Sequence, residues 1–140
     1  MDREQRLQAI SLADTEVLVS TADQVLDSFD VEVVRGPAVG LLMVRVEEPS
    51  ERLPFNFTEV TVSEAEVVGG GVRGYAMVMG RDPEKALAGA ILDAAIESKH
   101  PQSTLIEAHL TAAIDRETSR REREWAKVAP TMVKFEEMHP

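Results

Sequence analysis

The chain has 140 residues, 44% hydrophobic and 29% charged, with a formal net charge of −10 and no cysteine. That length makes one domain able to bury roughly two-thirds of its unfolded surface. The acidic balance argues against a general nucleic-acid-binding surface, and the missing cysteines exclude disulfides, thiolate metal sites and thiol nucleophiles.

The first residues carry Asp2, Arg3, Glu4 and Arg6. No apolar core follows them, so no signal peptide is expected. No apolar run approaches the ~20 residues of a membrane span, and a cytoplasmic location is the default expectation. Residues 3–29 read as two helices. Leu7, Ile10 and Leu12 lie on the first, and Val17, Leu18, Val25, Leu26 and Phe29 on the second, with Asp14 or Thr15 as the cap between them.

Strands are expected at about residues 31–35 and 41–47, separated by a turn at Gly36-Pro37-Ala38-Val39-Gly40. A polar loop over 48–54 leads to a third strand over about 57–68. That strand changes phase: Val60 and Val62 lie on one face, Ala65 and Val67 on the other. A β-bulge near Ser63-Glu64 is therefore expected. Gly69-Gly70-Gly71 closes a hairpin into a fourth strand over 73–79. Its small face (Gly74, Ala76, Val78) and large face (Tyr75, Met77, Met79) are both apolar, as in a strand covered on both sides.

Gly80-Arg81-Asp82-Pro83-Glu84 then supplies a turn glycine, an N-cap aspartate, a proline at the first helical position and an early acid. Leu87, Ala90, Ile91, Ala94 and Ala95 follow at helical spacing. A break at 99–103 precedes a long helix over about 104–128. The expected fold is α+β: a four-stranded antiparallel sheet with N-terminal helices, an Ala-rich packing helix and a long C-terminal helix, forming one domain over 1–140.

The C-terminal helix starts with a core-facing stripe, Ile106, Leu110, Ala113 and Ile114, and then runs through ten residues, DRETSRRERE, without an apolar side chain. A helix polar all round is either laced by its own ion pairs or bridges between bodies. Glu117–Arg121 and Arg120–Glu124 are spaced i,i+4, but each such pair contributes only about 0.2–0.5 kcal/mol. Apolar residues return at Trp125, Val128, Met132, Val133, Phe135 and Met138. Ten residues of helix, about 15 Å, carry them away from the core stripe. They either fold back on their own sheet or form an arm, residues 125–140, that docks on another polypeptide. The arm is preferred, because Met and aromatic side chains suit interface cores.

Chemistry is harder to place. Gly69-Gly70-Gly71 leads into a strand, unlike phosphate loops, which lead into a helix N-terminus, so a hairpin turn is the better reading. Gly80-Arg81-Asp82 does open a helix, but an N-cap Asp82 occupies the free amides and repels anions. Arg81 remains a candidate contact to an anion or a partner carboxylate. Asp93, on the flank of the Ala stripe, is expected to be half-buried and satisfied by an arginine or a backbone amide. His100, His109 and His139 lack the spacing of a metal motif, and they define no Ser-His-Asp geometry. No catalytic residue is identified from the residues alone.

The ordered series Gly74, Tyr75, Val78, Gly80, Arg81, Asp82, Ala86, Ala90, Asp93 and Ala94 resembles the PhnG subunit of the bacterial carbon–phosphorus lyase system. Gly40-Leu41, residues 58–67, Leu110, Val133, Phe135 and Met138 extend the likeness over about 31–138. The tail reads Val133-Lys134-Phe135-Glu136 where the family commonly has V-D-F-F, one aromatic fewer. The resemblance implies an accessory subunit, working with PhnI-, PhnH- and PhnJ-type partners. With PhnH, PhnI and PhnL proteins such subunits support displacement of adenine from ATP by a phosphonate to form α-D-ribose 1-phosphonate 5-triphosphate, the nucleosidase chemistry being attributed to the PhnI-type partner. It implies that ATP is used by the complex and that this chain binds no cofactor. Two other readings stay open: a small phosphate- or nucleotide-binding protein using Arg81, Asp82 and Asp93, and a homodimer that swaps arms.

Overall fold

A computed structural model describes residues 1–133. Two short helices open the chain, α1 (Arg3–Leu12) and α2 (Thr15–Leu26). Asp2 starts α1 in a capping box, accepting the Gln5 N–H while the Gln5 side chain accepts from the Asp2 amide. Asp14 precedes α2, as the spacing predicts, but makes no side-chain cap bond.

The sheet has three strands, not the four expected: β1 (Val31–Glu47), β2 (Pro54–Gly69) and β3 (Val72–Met79), antiparallel in the order β1-β2-β3. The expected turn at Gly36-Pro37 does not reverse the chain. Arg35 pairs with Glu66 and Ala38 with Glu64, so both flanks stay on the same partner strand. Here three residues of β1 advance against two of β2, and between Val33 and Arg35 two advance against one. The extra residues are taken up as bulges. Proline is tolerated there because β1 is an edge strand, whose outer amides have no partner to lose.

The irregularity expected at Ser63-Glu64 also lies elsewhere. β2 pairs with β3 without slip from Val62 to Gly69, and the bulges opposite that stretch are on β1. Ser63, Ala65 and Val67 point into the core, while Val62 is buried on the other face. The phase change is therefore a change in which face is covered, not an inserted residue. Gly70 and Gly71 form the two-residue hairpin, both at positive φ (58° and 78°), the geometry such a turn requires.

Helix α3 (Pro83–Glu97) is the centre of the molecule: Ala86, Gly89, Ala90, Ala94 and Ala95 are among ten buried residues on it. One flank lies on β3 and β2, another on α1 and α2. Small residues set these approaches. A Cβ at Gly74 would lie 2.1 Å from the Ala90 carbonyl oxygen, and one at Gly89 would lie 2.4 Å from Ile10 Cγ2. Only the small face of β3 is buried, contrary to expectation. Tyr75 and Met77 on the large face are partly covered and Met79 is 73% exposed.

Helix α4 (Ser103–Val128) buries Ile106, Leu110 and Ala113 and then leaves the core. A short 3-10 turn, Ala129–Thr131, follows it.

Candidate functional site

The one buried acid among the described residues is Asp93, fully enclosed rather than half-exposed. Its Oδ1 accepts from Arg6 Nε at 2.7 Å, and its Oδ2 accepts from Arg3 Nη2 at 2.8 Å and from the Tyr75 backbone N–H at 2.9 Å. Arg6, itself buried, also pairs with Glu97. Gly74 is what lets the strand come close enough for the neighbouring amide to reach the carboxylate. The hydrogen bond from Arg6 holds Glu97 below the usual carboxylate range, and the bond to Asp93 holds Arg3 above its ordinary value. With its oxygens already accepting three donors, Asp93 ties α1 and β3 to α3.

The signal for this cluster lies in α1. Arg6, Ala9 and Ile10 form its buried stripe, so an arginine stands at a core-facing position. A buried guanidinium needs a carboxylate opposite it, and Asp93 is the acid inside the small-residue helix.

The turn before α3 is also consumed by structure. Asp82 accepts from the Lys85 N–H at 3.0 Å and from the Thr15 hydroxyl, while its own N–H donates to Ser63 Oγ at 2.8 Å. Burial lowers the Lys85 pKa, opposed by the charges of Asp82 and Asp14. Arg81 points to solvent and makes no ion pair or hydrogen bond among the described residues. Asp82 and Asp93 therefore do not converge with Arg81 on a common site. His100 contacts Ser28 and lies edge-on to Phe29, whereas His109 contacts Thr21; they belong to separate packing sites.

The far half of α4 is solvated along its length. Glu117 accepts from both Arg120 and Arg121, and Arg120 also reaches Glu124. The two arginines draw the Glu117 pKa down to about 2. Beyond this lattice Trp125 is 59% exposed, and Val128, Met132 and Val133 are exposed too. Phe135 and Met138, expected on the same surface, lie outside the described residues.

Of the candidate acids, Asp82 and Asp93 are thus held by structural partners, while Trp125, Val128, Met132 and Val133 stand at the surface, the pattern of an assembly subunit. A family model described as "Phosphonate metabolism protein PhnG" matches residues 1–139, and the chain belongs to that family. It is 36% identical over 107 residues to the "Alpha-D-ribose 1-methylphosphonate 5-triphosphate synthase subunit PhnG" of Rhizobium meliloti (strain 1021). The match covers 74% of this chain and 69% of that relative.

Proposed function

We propose that this chain is an accessory subunit of the synthase that makes α-D-ribose 1-methylphosphonate 5-triphosphate in phosphonate metabolism. In that reaction a phosphonate oxygen bonds to the ribose C1′ of ATP, the glycosidic carbon–nitrogen bond breaks, and adenine leaves. Membership of the PhnG family carries the reading. The engaged state of Asp82 and Asp93 supports an assembly role over a catalytic one.

The partners in this reading are PhnI-, PhnH- and PhnJ-type subunits, and the chemistry belongs to one of them. Residues 125–140 are the arm that reaches them. The exposure of Trp125, Val128, Met132 and Val133 supports that role: burying a Val- to Phe-sized side chain is worth roughly 1.5–3 kcal/mol, which their own chain forgoes. Residues 125–133 follow a charged spacer, and Trp125, Val128, Met132 and Val133 lie off the core. Arg81 serves as a polar contact at the edge of an interface, and ATP is bound by the complex.

Reconstitution tests this. Separately purified subunits should release adenine from ATP and methylphosphonate only when this chain is included. Turnover by the isolated chain, or full activity without it, would refute the role.

A further inference from the structure

Past the end of β3 the sheet thins to two strands. β3 pairs with β2 only between Gly69 and Val62, yet the β1–β2 ladder continues from Gly40 opposite Val62 out to Glu47 opposite Pro54. A two-stranded ribbon is at best marginally stable in water on its own. Both faces of this one carry apolar side chains, broken on one face by Glu59 opposite Met43. Leu41 and Met43 lie on one face, Leu42 and Val44 on the other. Leu41 and Phe57 are each 67% exposed, and the exposed Phe55 meets Phe57 edge-on at 6.4 Å. The edge is equally bare. Between Pro37 and Arg45, residues 38–44 read AVGLLMV, seven positions without a charge on an edge strand. Soluble proteins usually blunt such edges with charge, proline or a covering element.

We propose that the ribbon formed by residues 38–62 is an insertion arm. It enters an apolar cleft on a non-identical companion subunit, and the free edge at 38–44 pairs with a strand of that subunit. The inference rests on the chain being a subunit of a complex, and it adds a docking element separate from the C-terminal arm. Shape decides against a second copy as occupant. Two copies joined edge to edge through β1 make a four-stranded ribbon whose apolar faces both stay in water. Two copies stacked face to face cover one face and leave the other bare. Charge points the same way, since each copy carries −10 and like net charge opposes association. A walled cleft covers both faces and the edge together.

The test uses the full chain and the companion subunits of the synthase. L41E combined with F57E puts carboxylates at two positions already open to solvent, so the isolated variant should keep wild-type circular dichroism and melting. Calorimetric titration should show binding weakened about 100-fold or more, as for loss of central apolar anchors. Independently of any variant, amide exchange at 38–44 of the wild-type chain should slow about tenfold or more in the complex, as unpaired edge amides gain partners. Wild-type affinity in the double variant, or unchanged exchange at 38–44, would overturn the proposal. So would a wild-type homodimer that the variant disperses, which would assign the ribbon to a second copy. Failure of the wild-type chain to bind any companion subunit would instead refute its place in the complex, and the ribbon's role would fall with it.

Discussion

The two ends of this molecule treat similar amino acids in opposite ways. Around α3, polar groups are paired and glycines are cut to fit: Asp93 holds two arginines and an amide, and Gly74 and Gly89 admit neighbouring atoms where a Cβ would collide. Along the outer ribbon and the far end of α4, Leu41, Phe57 and Trp125 stand in solvent without cover among the described residues. The first region explains why the chain folds. The second requires another explanation, and assembly supplies one. The difference separates substitutions that unfold the chain from those that isolate it.

Asp93→Ala should have the largest effect on stability. It removes the partner of a buried guanidinium, a loss worth about 3–5 kcal/mol, visible as a lowered urea midpoint. A wild-type midpoint would show that the Arg6–Asp93 pair is not structural. Gly74→Ala comes next. The added methyl meets the Ala90 carbonyl, and overpacking of this kind costs about 1–3 kcal/mol. Both variants should lose complex formation only in proportion to the unfolded fraction.

Deleting residues 125–140 should do the reverse. The melting transition should stay within about 0.5 kcal/mol of wild type, the range of substitutions away from core features, while co-purification with the companion subunits is lost. Unfolding of the truncated chain would place the tail on its own core.

The smallest effect is set by pH. The Glu97 pKa is lowered, so its contribution is present above the unfolded value of 4.5 and is lost as pH falls through the folded value. Urea midpoints of wild type and Glu97→Gln should therefore run parallel from pH 7 to about 5, and the wild type alone should fall faster below that. Lines parallel down to pH 3 would remove Glu97 from the clamp.

Local signals made much of the fold legible. The capped start of α3, the Gly70-Gly71 hairpin, the break before α4 and the ten-residue charged rod all depend on neighbours within a few positions. The strand count was not legible because Gly36-Pro37 has the chemistry of a turn, and only pairing with Glu66 and Glu64 shows that the chain carries straight on. The large face of β3 read as buried because Tyr75, Met77 and Met79 are apolar, and apolarity does not say which protein does the burying. The Arg3, Arg6 and Asp93 cluster joins residues 90 and 87 positions apart, beyond any local pattern, although an arginine on the buried stripe of α1 was its trace. The exposed ribbon was hidden by the same ambiguity: its sequence reads as ordinary strand.

In the proposed role this chain contributes binding surface and leaves the chemistry to its partners. Adenine release from a reconstituted synthase measures that directly. The wild-type chain should restore activity that no other component restores. The chain lacking residues 125–140 should restore little or none, and the chain alone should release no adenine. Full rescue by the truncated chain, or turnover by the chain in isolation, would contradict the account.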